Sequence, residues 1–403
     1  MLPLFPSVIV QLRLVIFAPF PFCLACPSYL KNLSLKKWIL PCVRDKIDVS
    51  QFAYISRPGA GTISAVTILY HKILEFLDCK SGAFRILAID FAKAFDKITH
   101  SSIINACVSF EINPHLVKWL ESFLTDRFQR VNIQGSFSDW SPVCSGVPQG
   151  SVLGPVLFCL VLNDLSPIFS NSHIIKYADD VVLMHFVRSP YDDQLQSEWN
   201  AIVNWSENIS LPINFDKCNV LNVVTNKSLS LSPISVSQTN FLRSVQSIVF
   251  LGVVLSDDLK WNCHFDRILK KAAKRIYILR NLRRSGCSED VLWRVYISMV
   301  RPILTYAAPS FCNAPDYLWG SLLRFERRLW RIMGIKRDEL LNAQDFMNMS
   351  CEALFSKIHE NADHSMRCLF LPQCSRLPRS RLLLRPPFAR TKRFKNSFIR
   401  YCK

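Results

Sequence analysis

Two stretches of the chain decide its fold: FRILAID at residues 84–90 and HIIKYADDVVLMHF at residues 173–186. The first has the length and the β-forming residues of a buried strand, and the second predicts two apolar strands around a short polar turn. Asp90 ends the first stretch, whereas Asp179 and Asp180 occupy the turn of the second. Because desolvating a carboxylate is costly unless it is paired or binds a metal, buried strands rarely end in unpaired acids.

If these strand ends meet, they create a cage of two or three carboxylates. Such a cage suits Mg²⁺, which binds carboxylates together with substrate phosphates rather than an all-protein shell. Two ions about 3.5–4 Å apart stabilise both the attacking and the leaving oxygen of an in-line phosphoryl displacement. The alternative is that Asp90 and Asp180 only cap neighbouring turns, where aspartate is common. The strand pattern alone leaves both interpretations open.

The sequence around these strands contains both helical and strand patterns. Alternating residues predict a hairpin over 129–140, and a run of β-formers predicts strand structure over 247–255. The serine-rich stretch 228–238 is the predicted linker. Helical spacing of apolar residues predicts helices at 62–78, 99–110, 114–125, 155–165, 192–209, 266–282, 289–300 and 318–333.

The charge balance predicts a polyanionic partner. The chain has 49 Lys and Arg against 31 Asp and Glu, a formal charge of +18, and its 50% hydrophobic residues indicate a folding chain rather than a basic tail. The excess of positive charge is concentrated in the helix at 266–282 and in residues 376–403. The second of these ranges contains ten Lys or Arg and no acid. Phenylalanines interleaved with the C-terminal cations suit phosphate contact and base stacking, and a disordered tail is the alternative.

The N-terminal 35 residues are apolar but carry prolines at 3, 6, 19, 21 and 27, which interrupt any regular helix long enough to cross a bilayer. We therefore expect a poorly structured extension and no stable membrane association. The 15 cysteines are odd in number and irregularly spaced, which favours reduced thiols over a disulfide framework. Together these features predict an intracellular protein, in the nucleus or the cytoplasm.

Five motifs occur in order along the chain. They are LAIDFAKAFDKITH (87–100), SGVPQGSVLGPVLF (145–158), YADD (177–180), LPINFDKCNVLNV (211–223) and FLGVVLSDDLKW (250–261). With these motifs the sequence resembles a reverse transcriptase of the non-LTR retrotransposon type. The resemblance covers about residues 36–400.

The resemblance implies a right-hand polymerase fold. Partial fingers and an α+β palm with an antiparallel sheet would occupy residues 36–230. A primer-grip hairpin and a helical thumb would follow at 231–335, and a basic C-terminal region at 336–403. Residues 1–35 match nothing in the family.

The resemblance also assigns a catalytic centre. It implies that Asp90 and Asp179 ligate two Mg²⁺ ions, for which Mn²⁺ is a possible substitute, and that Asp180 completes the acidic site. Lys217 corresponds to a lysine that assists the leaving pyrophosphate as a general acid. A solvated lysine at position 217 is the alternative.

Four residues are implied in substrate binding. Phe95 falls at the position of an aromatic ring that rejects a 2′-hydroxyl on the incoming sugar, and Ala94 leaves room for the nucleotide. Gln149 and Gly150 stand in a loop whose glycines allow close backbone approach, and Gln149 can hydrogen-bond at the templating or incoming base. The alternatives are a core phenylalanine and an ordinary tight turn. Asp96, in the same motif as Phe95, is predicted to start a helix.

The implied nucleic-acid contacts lie further along the chain. Phe250, Leu251 and Gly252 resemble the hairpin that grips the primer 3′ end. The basic helix at 266–282 would lie along duplex phosphates and give salt-dependent, sequence-independent affinity, although a solvated helix face is the alternative. Its cations include Lys270, Lys271, Lys274 and Arg275.

The predicted reaction is RNA-templated DNA synthesis, with an RNA template, a DNA primer and dNTPs as partners. Residues 36–58 match only the end of the family's fingers region, which predicts a copy truncated at its 5′ end. An inactive remnant that only binds nucleic acid is therefore a competing hypothesis. An RNA-dependent RNA polymerase is a second one, which Phe95 and the motif order disfavour.

Overall fold

The computed structural model describes residues 13–17, 35–55, 57–79, 82–225, 229–335, 342–370 and 386–401. The chain divides into two units. The first unit comprises Met1–Asp48, Phe91–Leu165 and Ile202–Ile213, and the second comprises Val49–Asp90, Ser166–Ala201 and Asn214–Lys403. Each unit is built from segments that are separated in the sequence.

The described ranges contain eleven strands. They are β1 (Arg13–Phe17), β2 (Ala83–Ile89), β3 (Phe128–Ile133), β4 (Ser136–Phe137), β5 (Ser141–Pro142), β6 (Ser172–Tyr177), β7 (Asp180–Val187), β8 (Asn219–Val224), β9 (Arg243–Val245), β10 (Ser247–Phe250) and β11 (Val253–Ser256).

The same ranges contain sixteen α-helices. They are α1 (Leu40–Val43), α2 (Thr62–Cys79), α3 (Ala94–Lys97), α4 (His100–Ser109), α5 (Pro114–Leu124), α6 (Gly154–Val161), α7 (Leu195–Asn208), α8 (Asn262–Ala273), α9 (Ile276–Arg284), α10 (Glu289–Val295), α11 (Arg301–Thr305), α12 (Ala308–Phe311), α13 (Asp316–Met333), α14 (Ala343–Glu360), α15 (Lys392–Lys395) and α16 (Phe398–Tyr401). Short 3₁₀ or π turns lie at Leu35–Ile39, Leu162–Asp164, Pro190–Asp192, Tyr296–Val300 and Ser365–Leu369.

The second unit is built on a five-stranded sheet in the order β6-β7-β2-β8-β9, antiparallel except for the β8–β9 pair. The apolar run that predicted β2 is explained by its position, because the strand is central and most of its side chains are buried. Arg85 is the charged residue of this otherwise apolar strand. Its buried guanidinium pairs with Asp193 at 2.8 Å and also donates to Asn222. The α+β class with a mostly antiparallel sheet is confirmed.

One hydrophobic core joins this sheet to the helices of the second unit. Val66, Leu69 and Ile73, part of the stripe that predicted α2, are completely buried in it. Residues of the β10–β11 hairpin and of helices α8 to α14 belong to the same core. Among the helices that the structure describes, none combines the length and the apolar character needed to cross a membrane.

The first unit contains a small sheet and the helices α4, α5 and α6. Thr99 caps α4 by accepting a hydrogen bond from the Ser102 N–H at 3.2 Å, and Asn113 caps α5 ahead of Pro114. The predicted hairpin over 129–140 is present as β3 and β4. Strand β1, within the N-terminal extension, pairs antiparallel with β3. The remaining residues of the extension up to 34 lie outside the described residues.

The basic helix predicted at 266–282 consists of two helices. Helix α8 ends at Ala273 and α9 begins at Ile276, so Lys274 and Arg275 lie at the junction. No glycine or proline marks this break in the sequence, and the apolar spacing continues through it. The interruption is therefore visible only in the structure.

The alternative of a disordered C-terminal tail is wrong for residues 386–401. Phe394, Phe398 and Ile399 are 1–3% exposed and belong to the core of the second unit. The Asp78 carboxylate on α2 accepts hydrogen bonds from the backbone N–H groups of residues 390 and 391 at 2.5–2.9 Å. We call residues 386–401 the C-terminal segment, and buried apolar side chains and backbone hydrogen bonds hold it in place. Residues 371–385 lie outside the described residues.

Candidate active site and nucleic-acid interface

Two of the predicted catalytic acids lie side by side at one edge of the central sheet. In the ladder between β2 and β7, Ile89 faces Val181. The next pair along these antiparallel strands is therefore Asp90 and Asp180. Both line one cavity of about 300 Å³, together with Lys217.

The backbone of Asp90 is held on both sides by the segment that precedes β8. Its C=O accepts a hydrogen bond from the Asn214 N–H at 2.8 Å, and its N–H donates to the Cys218 Sγ at 3.4 Å. Burial raises the pKa of the Cys218 thiol to about 11, so this sulfur stays neutral. The motif NFDKC thus fixes the strand end that carries Asp90.

The Asp90 carboxylate has an unused oxygen. Its Oδ2 atom is shielded from solvent and accepts no hydrogen bond, and the Lys217 Nζ lies 3.6 Å from it. Both side chains are partly exposed, so this contact contributes little to stability. A shielded oxygen that lacks a donor fits a position that binds a cation.

The charges around Asp180 are mutually unfavourable. Burial raises the pKa of Asp180, and the neighbouring carboxylates of Asp179 and Asp90 raise it further. The turn that carries these acids is tight, since Ala178 adopts a φ of 53°. Asp179 is exposed in this turn, and the cavity lining includes Asp180 rather than Asp179.

The donor set at this edge is all oxygen, which suits Mg²⁺ or Mn²⁺. In the described part of the chain, no group of three or more His, Cys, Asp or Glu side chains is arranged to hold a metal ion unaided. Mg²⁺ in nucleotide-binding sites uses one or two carboxylates and completes its shell with phosphates and water. Asp90 and Asp180 fit that requirement.

In the first unit, the predicted nucleotide-selecting residues lie on α3 and the loop after β5. The Phe95 ring stacks on Phe158 of α6 with centroids 4.7 Å apart, and Ala94 is buried. The loop lies on α3, because the Val147 N–H donates to the Phe95 carbonyl at 2.8 Å. A Cβ at Gly146, whose φ is +81°, would meet the backbone of α3 at 2.7 Å. The close approach expected from this motif is therefore required at Gly146.

Gln149 is held by Asp96, to which its amide donates a 2.8 Å hydrogen bond. Asp96 is the third residue of α3, and the prediction that it starts this helix is wrong, because Lys93 is the N-cap. Its carboxylate instead orients Gln149. Gly150 adopts a φ of +80° with open space around it. Asp96 and Gln149 line a groove of about 510 Å³ whose cations are Lys93, Lys97 and Arg127. Lys93 and Lys97 lie within the motif at 87–100, but the sequence analysis assigned no role to them or to Arg127.

The predicted primer-grip turn joins β10 to β11. Phe250 is 3% exposed, so its ring anchors the hairpin in the core and presents little surface to a primer. Leu251 and Gly252 have φ angles of 44° and 85°. Tyr306 supports this turn, because its hydroxyl donates to the Leu251 carbonyl at 2.8 Å and its ring would lie 3.2 Å from a Cβ added at Gly252. Sequence reasoning missed Tyr306, which lies 55 residues from its partner.

Cations of α8 and of the α8–α9 junction border a groove of about 590 Å³ beside the β10–β11 hairpin. Lys270, Lys271 and Lys274 line it together with Arg267, and Asp266 is its acidic residue. Arg275 is exposed at the α8–α9 junction but is not among the lining residues.

A central sheet that presents adjacent carboxylates and a lysine, next to a hairpin and a basic helix, is the arrangement expected of a template-directed nucleotidyltransferase. The family model described as reverse transcriptase (RNA-dependent DNA polymerase) matches residues 34–255. The chain belongs to this family, whose members generally use divalent metal ions. The resemblance drawn from the motifs, and the right-hand polymerase fold that it implies, are confirmed.

Similar proteins include enzymes of insect mobile elements. The chain is 28% identical over 312 residues to the RNA-directed DNA polymerase from mobile element jockey of Drosophila melanogaster, covering 71% of this chain and 33% of that protein. It is 23% identical over 281 residues to the Pol polyprotein from the type-1 retrotransposable element R2 of Popillia japonica, covering 63% of this chain and 44% of that protein. The chain thus spans less than half the length of these relatives.

Among solved structures, telomerase from Candida tropicalis in complex with a TWJ fragment of telomeric RNA aligns with 86% of this chain and 61% of its own chain. The identity is 10% and the TM-score is 0.42.

Proposed function

We propose that this chain is an RNA-directed DNA polymerase that extends a DNA primer on an RNA template with dNTPs. The observation that carries the proposal is the pairing of Asp90 with Asp180 at the sheet edge, with Lys217 3.6 Å from Asp90, in a chain of the reverse transcriptase family. An intracellular location, in the nucleus or the cytoplasm, belongs to the same proposal because RNA and dNTPs are available there.

In this proposal Asp90, Asp179 and Asp180 would hold two Mg²⁺ ions, with Mn²⁺ as a substitute. When bound, the ions supply positive charge to the attacking and leaving oxygens of the displacement. The segment that precedes β8 keeps Asp90 in place through the backbone hydrogen bonds of this residue. Lys217 would donate a proton to the leaving pyrophosphate as its charge develops.

Selection of the nucleotide is assigned to α3 and the loop after β5. Phe95, held by its stack on Phe158, would reject a 2′-hydroxyl, and buried Ala94 leaves space beside the sugar. Gln149, oriented by Asp96, and Gly150 would lie against the templating or incoming base.

The nucleic-acid path is assigned to the hairpin and α8. The turn at Phe250, Leu251 and Gly252 would hold the primer 3′ end, chiefly through its backbone. Phosphates of the duplex would contact the exposed cations of the thumb, which are Lys270, Lys271, Lys274 and Arg275.

Primer extension on a primed RNA template, with Mg²⁺ and dNTPs, tests the proposal. We expect Asp90→Asn and Asp180→Asn each to lower the rate at least about a hundredfold, because each removes a charge that the displacement needs. Asp139→Asn, at an exposed acid of the first unit, is the matched control and should leave the rate unchanged. Salt-dependent RNA binding without any extension by the wild-type chain would instead select the inactive-remnant hypothesis.

The choice of nucleotide is tested in the same assay with rNTPs. We expect the wild-type chain to prefer dNTPs and Phe95→Val to incorporate rNTPs more readily, because the ring that excludes the 2′-hydroxyl is lost. A wild-type dNTP-to-rNTP ratio near one would favour an RNA polymerase.

A further inference from the structure

A second groove of the second unit contains residues that neither the catalytic site nor the basic face of α8 uses. It has a volume of about 640 Å³ and is lined by the segment that precedes α8, the start of α13 and helix α15 of the C-terminal segment. Its side chains include Lys260, Asn313, Asp316, Tyr317, Lys392 and Arg393. We call it the tyrosine groove.

The tyrosine groove is positively charged. Lys260, Lys392 and Arg393 are exposed, and Asp316 is the acidic residue of the lining. The Lys260 ammonium lies 3.5 Å from Asp258 in an exposed ion pair, which leaves the two cations of α15 as the main positive charge. These cations reach the groove because α15 packs on α2 through buried Phe394.

An ordered aromatic ring stands among these cations. Tyr317 is 58% exposed, whereas Tyr70 and Trp261 of the same groove are 4–5% exposed. The Tyr317 hydroxyl donates a 2.5 Å hydrogen bond to the Asn262 Oδ1, which restrains the ring while leaving it open to solvent. An exposed, restrained ring beside phosphate-binding cations can stack an unpaired base at little entropic cost.

We propose that the tyrosine groove binds single-stranded nucleic acid, with a base stacked on Tyr317 and adjacent phosphates on Lys392 and Arg393. A duplex is a poorer fit, because its base faces are covered by neighbouring pairs and unavailable to the ring. The groove of α8 differs in this respect, since its described lining consists of cations, Asp266 and small or aliphatic residues, without an aromatic ring. This binding site is separate from the proposed polymerase function, and binding there does not require primer extension.

Binding of labelled oligonucleotides of about 12 nucleotides by the full chain tests the proposal. Oligo-U and oligo-dT are compared by fluorescence anisotropy, with excess unlabelled primer–template present to occupy the polymerase path. Lys392→Gln/Arg393→Gln should weaken binding about tenfold and reduce the slope of log affinity against log salt by about 1.4, because two phosphate contacts at about 0.7 each are lost. Tyr317→Leu should also weaken binding about tenfold, without changing the salt slope.

Lys118→Gln/Arg188→Gln, which removes two exposed cations elsewhere, is the matched control and should bind like the wild type. Equal binding by the wild type and the Lys392→Gln/Arg393→Gln and Tyr317→Leu variants would overturn the proposal. A preference for oligo-U would identify the bound strand as RNA, and a preference for oligo-dT would identify it as DNA.

Photocrosslinking provides a readout that is independent of affinity. Tyr317→p-benzoylphenylalanine should crosslink to the single-stranded probe with or without primer–template and without dNTPs. A chain that crosslinks but does not extend a primer would uphold this inference while the proposed polymerase function fails. Crosslinking only to a primer–template duplex would place the groove on the duplex path and overturn the proposal.

Discussion

Replacing Phe394 by alanine should release the C-terminal segment from the core of the second unit. The ring is 2% exposed, and its centroid lies 5.2 Å from that of His71 on α2 in an edge-to-face contact. Truncating a buried phenylalanine to alanine costs about 3–5 kcal/mol when the surroundings cannot fill the gap. We expect about 3 kcal/mol, the low end, because a short terminal segment can undock and thereby limit the loss.

Urea unfolding followed by tryptophan fluorescence measures this change as a lower midpoint. Phe388→Ala is the matched control, because Phe388 lies in the same segment but is 76% exposed. It should alter stability by less than about 0.5 kcal/mol. Trypsin should also cleave the C-terminal segment of Phe394→Ala sooner than that of Phe388→Ala. Equal midpoints and equal cleavage rates for the two variants would refute the packing argument.

Three further predictions concern single sites. Gly252→Ala should weaken primer use, because its Cβ would press on Tyr306 and its φ of +85° disfavours alanine. Extension assays should show a higher KM for the primer. An unchanged KM would contradict the prediction. Asp179→Asn should lower the raised pKa of Asp180 by removing a neighbouring negative charge, as measured by an NMR titration of the carboxyl carbon, and an unmoved titration would contradict it. Burial alone would raise the pKa of Asp78, but backbone hydrogen bonds lower it. Docking of the C-terminal segment should therefore hold above about pH 4 and weaken below it. The rate of trypsin cleavage, measured as a function of pH, checks this prediction.

Three strands of the central sheet, β2, β6 and β7, were predictable from the sequence because they are mostly buried and appear as apolar runs. The acids at 90 and 179–180 were informative for the same physical reason, since buried strands seldom end in unpaired carboxylates. The positions of helices α2, α4 and α5 also followed from apolar spacing. In each case a local pattern, repeated over one element, carries the information.

Other features depend on contacts between distant residues and were not predictable. The hydrogen bond from Tyr306 to Leu251 joins segments with no fixed spacing in the sequence. The same is true of the hydrogen bond from the backbone of residue 390 to Asp78. The phenylalanines of the C-terminal segment looked like stacking residues among cations, yet Phe394 and Phe398 are buried. An alternation of basic and aromatic residues occurs both in nucleic-acid-binding tails and in amphipathic segments that pack on a core. The sequence does not distinguish these two cases, because the difference lies in the surface that the segment contacts.

The docking of the C-terminal segment has a consequence for synthesis of the chain. Helix α2 ends at Cys79, whereas Phe394 follows more than 300 residues later. At about 5–20 residues per second, the ribosome needs roughly 15–60 s to supply the residues that cover this helix. Throughout that interval the nascent chain exposes an apolar surface that promotes aggregation. The yield of folded protein should therefore depend on chaperones that shield the growing chain until its last helices emerge.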